Sequence, residues 1–281
     1  MSTEYARNDW YVVADVNQLA AGQVVETRLL GQPLRVSGSP DAPLVTTADG
    51  TALPAQLRYD HIWTSPGADP RPLPDIAEAA ERDRTFVPCG GVRVRCSPLR
   101  AVENFLDIAH FPFVHTGILG EEPHTEVAPY KVEIREDVDE VWATQIGFHQ
   151  PQAAKSATEA IETRYEYRVP APTTAVLYKT CPPKPEAWDV IAIFVQPLAE
   201  NECIAWPWMA LYDEVTPYAD LVQFQQEIFL QDRSILENQK PTLLPLDPRL
   251  EIPTRCDLTS VVYRRWLKRK GATYGALTTA A

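Results

Sequence analysis

Apolar and polar positions alternate along most of the chain. WYVVADV, VVETRLLGQPLRV and LRYDHIWTSPG, broken by turn formers such as ADG, predict short strands up to about residue 67. Residues 68–76 (ADPRPLPDI) are proline-rich and make the best linker. EAAERDRTFV then leads into GGVRVRCSPL, which alternates like another strand. From about 127 to 211 come YKVEIRE, VWATQIGFH, TRYEYRVP, TAVLYKTC, VIAIFVQP and CIAWPWMALY. Strands in such close succession predict one curved antiparallel sheet. Two helices close the chain, TPYADLVQFQQEIFLQDRSILENQK and DLTSVVYRRWLKRKG. The second has Asp257 placed as N-cap and Gly271 as C-cap. Strands followed by helices give an α+β fold class.

Two helical stretches carry polar residues where the pattern asks for apolar ones. In ENFLDIAHFPFVH (103–115), Val102, Phe105, Leu106, Ile108 and Ala109 cover most of a helix circumference and predict burial. Asn104, Asp107 and His110 recur at a spacing of three and share one edge. Pro112 disfavours helical geometry at Phe111, so the helix should end near His110 and the chain should turn. That turn would bring His115 back toward His110, whereas a straight helix would leave it about 140° off the face. In the long helix, Leu221, Phe224, Ile228, Ile235 and Leu236 form an apolar stripe, and Asp232 lies on it. A carboxylate facing a core is costly unless it is paired or holds a metal. The alternative is a stripe that drifts and leaves Asp232 at its edge. Two histidines and one carboxylate make a facial triad, a set that binds Fe(II) and keeps positions open for dioxygen and substrate. Asp107, one turn before His110, suits the acceptor that a metal-bound imidazole needs for its second N–H.

Composition narrows the partners. A formal net charge of −12 would repel a phosphate backbone and argues against nucleic acid. No apolar run approaches a membrane span, and MSTEYARND lacks a signal-peptide core. The five cysteines are scattered, without CxxC, and read as reduced thiols of a cytoplasmic protein. No GxGxxG or GxxxxGK[ST] loop occurs. Arg264, Arg265, Lys268, Arg269 and Lys270 near the end of the last helix make either a solvated basic face or a dock for an acidic partner. His61, His124, His149, Trp206 and Trp208 take ordinary structural readings.

ENFLDIAHFPFVH, with FLQDRSILENQ around Asp232 and the closing SVVYRRWL, resembles the Rieske-type non-haem iron oxygenases. The resemblance runs from about residue 85 onward, with weaker echoes in NDWYVVADV and RLLGQPLRV. It implies that His110, His115 and Asp232 hold a mononuclear Fe(II), with O2 as co-substrate. Asp107 would be the carboxylate linking that iron to a Rieske cluster, and Asn104 an asparagine beside the metal. It implies a helix-grip (START-like) catalytic domain over 71–281, an antiparallel sheet wrapped over a long helix. Here the sequence departs from the family: the CxH and CxxH pairs that hold a [2Fe–2S] cluster are missing between VTTADG and RYDHIW. Cys89 and Cys96 have no paired histidines to replace them. Residues 1–70 would then be a β remnant of a cluster domain, with no cluster in this chain. HFPFVHTGILG, LYKTC, FVQP and YRRWL resemble most the Rieske-lacking subgroup that N-demethylates methylxanthines such as 7-methylxanthine. The implied partner is a Rieske-containing reductase that uses NADH. The implied substrate is a small aromatic or purine, oxidised with release of formaldehyde, and the implied assembly a trimer or hetero-complex. Phe113, Phe229 and Gln239 are the pocket-lining candidates. A non-catalytic subunit that binds a ligand or props up an oxygenase complex is the alternative. A zinc hydrolase ranks lower, because the spacing is not HExxH and no general base accompanies it.

Overall fold

The computed structural model describes residues 2–278. Helix α1 (Ser2–Arg7) precedes strand β1 (Tyr11–Asp15) and helix α2 (Val16–Ala20). Asp15 ends the strand and caps the helix: its carboxylate accepts from the Asn17 N–H, and Gln18 Oε1 accepts the Asp15 N–H. Strands β2 (Val25–Leu29), β3 (Gln32–Ser39), β4 (Ala42–Thr47) and β5 (Ala52–Leu53) form an antiparallel meander. Strands β6 (Ala55–Arg58) and β7 (His61–Thr64) pair in the order β1-β7-β6. The two small sheets share one core, in which Tyr11, Val13 and Ile62 meet Leu34, Val36 and Val45.

The large sheet takes β8 (Thr85–Pro88), β9 (Val92–Val94), β10 (Lys131–Arg135), β11 (Glu140–Gln150), β12 (Ile161–Ala171), β13 (Thr174–Thr180), β14 (Trp188–Ala199) and β15 (Glu202–Leu211). Its order is β10-β11-β12-β13-β14-β15-β8, antiparallel throughout, with β9 also on β15. Both faces are covered, which explains why VIAIFVQP reads as a continuous apolar run. Ile193 and Val195 point to one core, Val190, Ala192 and Phe194 to the other. On the first face lie α3 (Pro98–Leu106), α4 (Phe111–Val114), α5 (Tyr218–Asn238) and α6 (Leu258–Lys270). On the second, Val12, Tyr59 and Trp63 of the N-terminal strands pack against Phe194, Trp206 and Trp208. The N-terminal meander is also bonded to β14, through Leu30 N–H to Pro197 O and Gly31 N–H to Leu198 O. Two short parallel strands, β16 (Leu244–Pro245) and β17 (Ala276–Leu277), tie the C-terminal segment down.

Three expectations need correction. Helix α3 ends at Leu106, not near His110. Asp107 is extended, and its Oδ1 accepts from the Ala109 N–H, so a local Asx turn takes the backbone out of the helix. Pro112 then sits in the first turn of α4, where no N–H is needed. On α5, Ile235 is 49% exposed and off the stripe, and Phe224 is only half-buried. The buried stripe is Leu221, Gln225, Ile228, Phe229, Asp232 and Leu236, so Asp232 faces inward. Asp257 does stand at the N-cap of α6, but its carboxylate caps nothing there and accepts from the Thr254 N–H across a short 3-10 turn instead. Of the first N–H groups of α6, that of Thr259 donates to Tyr130 Oη. Gly271 does close α6, at φ +69°.

Candidate metal centre

The break after α3 builds the site. Asp107 redirects the chain, His110 opens the single turn of α4, and His115 closes it with its N–H on Phe111 O. One helical turn therefore faces the two imidazoles toward each other, with Nε2 atoms 3.1 Å apart. Gly120 lets the following loop lie on this turn: a Cβ there would stand 2.8 Å from the Pro112 nitrogen. Asp232 arrives from α5, its Oδ1 3.2 Å from His110 Nε2 and 3.0 Å from His115 Nε2. Helix α3 is anchored beneath by a buried ion network. Arg100 bonds Glu103 and Glu251, and Arg264 of α6 bonds the same two carboxylates.

The donor triangle fits a six-coordinate ion. Ligands about 2.1 Å from a metal and at right angles to each other stand about 3.0 Å apart, close to all three separations here. The partners behind the donors match as well. His110 Nδ1 bonds Asp107 Oδ2 at 2.9 Å, and His115 Nδ1 bonds Gln231 Oε1 at 2.7 Å. Each imidazole thus donates its Nδ1–H and turns Nε2 toward the shared point. Asn104 Nδ2 donates to Asp232 Oδ1 at 3.3 Å. His115 is 1% exposed and Asp232 8%, so these groups face one another and not water. Burial disfavours charge on His110, but its hydrogen bonds to the Asp107 and Asp232 carboxylates outweigh it and raise the imidazole to about 9. Burial likewise opposes charge on Asp232, yet the two imidazoles hold its carboxyl below the usual range.

Two openings meet at the triad. A cavity of about 1000 Å³, counting its mouth, has His110, His115 and Asp232 in its lining, with Phe111, Tyr165 and Phe229 as aromatic surface. A cleft of about 1350 Å³, open solvent at its mouth included, also reaches His110, but its lining includes Asp107, Gln239, Arg265 and Lys268. The candidate residues divide accordingly. Phe229 faces the cavity, and Asn104 lines both openings. Gln239 faces the cleft. Phe113 is 65% exposed and belongs to neither lining, because the α4 turn points it outward. Sequence reasoning missed Gln231, whose one signal was its place beside Asp232 in FLQDRS. It also missed Gln225, Lys179 and Asp189 in the cavity wall.

The stretch from β9 through α6 carries all three candidate donors. Residues 94–273 match the sequence model of the vanillate O-demethylase oxygenase C-terminal domain. The chain belongs to this Rieske oxygenase family. It is an enzyme of the oxygenase class, similar to N-demethylases. The probable methylxanthine N7-demethylase NdmC of Pseudomonas sp. (strain TJI-51) is 44% identical over 269 residues, 95% of either chain. The fold is shared with NdmA of Pseudomonas putida CBB5, solved with caffeine: TM-score 0.79 at 16% identity, over 95% of this chain and 91% of that one. It is shared too with dicamba monooxygenase bound to dicamba, with TM-score 0.73 at 17% identity over 95% and 97%. Family members use mononuclear iron, and the donor set here suits that ion. Among the described residues no helix is long and apolar enough to cross a membrane.

Proposed function

We propose that this chain is the catalytic subunit of a methylxanthine N-demethylase, with Fe(II) held by His110, His115 and Asp232. The observation that carries this reading is the triangle of donor atoms, 3.0–3.2 Å on each side, at the head of an aromatic cavity. A ferrous ion held there supplies dioxygen activation and oxidation of a C–H bond. Phe111, Tyr165 and Phe229 would hold a flat heterocycle by its faces. Asp107 and Gln231 would fix the ring planes of the two histidines, and Asn104 would orient the Asp232 carboxylate. Overall, an N-methyl group, O2, two electrons and two protons give N–H, formaldehyde and water. The hydroxymethyl product loses formaldehyde as its C–N bond breaks and the nitrogen takes a proton.

The electrons come from a separate Rieske-containing reductase that oxidises NADH. Asp107 lines the cleft and bonds His110, which puts it on a route from that donor to the metal. The rim of the cleft suits a protein partner: Ile252 is 93% exposed, and Arg265 and Lys268 are exposed cations. Arg264, Arg269 and Lys270 are spent on ion pairs within the chain, so the docking charge narrows to those two. Residues 1–70 are read as the remnant of a cluster domain, retained because it covers the second face of the large sheet. Residues 71–281 are read as the helix-grip domain, with α5 as the gripped helix. Anaerobic loading with Fe(II), followed by a Rieske-containing NADH reductase, oxygen and 7-methylxanthine, tests the reading. One formaldehyde per NADH is expected. Absence of substrate-dependent oxygen uptake contradicts it and returns the chain to a non-catalytic role.

A further inference from the structure

The sheet wall of the cavity carries a buried charge pair that the metal chemistry does not use. Lys179 on β13 and Asp189 on β14 are direct cross-strand partners. They are 5% and 9% exposed, and both line the cavity that contains the triad. The Lys179 ammonium donates to Ala153 O, and among the described residues no carboxylate lies within ion-pair distance of it. An ammonium has three N–H groups, so two remain for whatever enters the cavity. Asp189 Oδ1 accepts from the Tyr212 N–H at 3.1 Å, which fixes the carboxylate against the wall. Opposed residues on adjacent strands have Cβ atoms about 5 Å apart, within reach of two neighbouring atoms of one ring.

Resting on the function proposed above, we infer that Lys179 and Asp189 are substrate-positioning residues that read a lactam edge, one C=O beside one N–H. The ammonium donates to the carbonyl oxygen and the carboxylate accepts from the ring N–H. Burial lowers Lys179 to about 8, so the ammonium is still mostly charged at neutral pH. Burial raises the Asp189 carboxyl, opposed first by the Tyr212 N–H. A buried acceptor that must meet a ring N–H discriminates against the analogue lacking one. 7-Methylxanthine keeps lactam N–H groups on its six-membered ring, whereas caffeine has a methyl on each of those nitrogens. Those methyl groups also flank the carbonyls and keep the pair from closing on caffeine.

Calorimetry on the Fe(II)-loaded protein, anaerobic and without reductant, reads binding without turnover. The wild-type chain should prefer 7-methylxanthine over caffeine at least about 10-fold. Lys179→Met and the isosteric Asp189→Asn should each weaken 7-methylxanthine about 10-fold or more and leave caffeine within about 2-fold. Loss of both ligands in parallel would mean a purely structural pair and overturns the inference, as does an unchanged preference. If the wild-type protein binds 7-methylxanthine and releases formaldehyde from it while the variants keep their preference, this inference alone fails. If the wild-type protein binds no methylxanthine, the proposed function fails with it.

Discussion

His61 and His115 are equally buried, at 0% and 1% exposed, yet they sit in opposite environments. His61 lies in β7, edge-on to Phe194 and Trp206. Its Nδ1–H donates to Tyr59 O at 2.6 Å, and its Nε2 has no partner. Burial therefore pushes it down to about 4, and it stays neutral. His115 uses both nitrogens, one on Gln231 and the other beside His110 and Asp232. Burial alone does not make a histidine a ligand. What distinguishes the site is a carboxylate brought in by another helix and an acceptor fixing the far nitrogen. The N-terminal strands bury an imidazole as filling, while the α4 turn buries two that face a carboxylate.

The comparison predicts unequal consequences. His115→Ala, His110→Ala or Asp232→Ala should reduce formaldehyde production to background and remove bound iron, as read by metal analysis. His61→Leu should leave both intact. Asp107→Ala should keep iron but slow turnover about 10- to 100-fold, because it frees the His110 ring and interrupts the route from the cleft. Iron lost as completely as in His110→Ala would remove that role from Asp107. Gln231→Ala should weaken Fe(II) binding about 10-fold in a competition titration, and unchanged affinity would mean its 2.7 Å bond does not orient His115.

The smallest effect is on stability and belongs to His61. Its folded value of about 4 lies below the ordinary 6.5. Above 6.5 it is neutral in both states and costs nothing. As pH falls from 6.5 to 4 the unfolded chain takes the proton first, so stability falls, levelling at about 3 kcal/mol below 4. Urea midpoints of His61→Leu should lose that part of the acid slope between pH 7 and 4. An unaltered slope would show that the solitary Nε2 is not what opposes protonation.

Much of this was legible because period-2 alternation survives wherever a strand has two different faces. The strand run follows from it, while the long helix and Asp232 on its inner stripe follow from three- and four-residue apolar spacings instead. The end of α3 was not legible, since Asp107 leaves the helix through its own side chain, a local competition that apolar spacing does not register. Ile235 was misplaced because 3.6-residue drift carries it past the edge that Asp232 still occupies. Phe113 looked like a pocket residue by hydrophobicity, but in a one-turn helix its neighbours Phe111 and Pro112 take the inward face. Lys179 in TAVLYKTC carried no signal of its cavity position. In a sheet covered on both sides, alternation no longer tells a solvent face from a cavity wall.

The central claim is that two imidazoles and one carboxylate clasp a single ferrous ion. An anaerobic Fe(II) titration of the wild-type chain and of His110→Ala, His115→Ala and Asp232→Ala measures it directly. One tightly bound equivalent in the wild-type protein, and none in any of the three variants, is the predicted result. A wild-type chain that takes up no iron, or a variant that still binds a full equivalent with the same affinity, would contradict it.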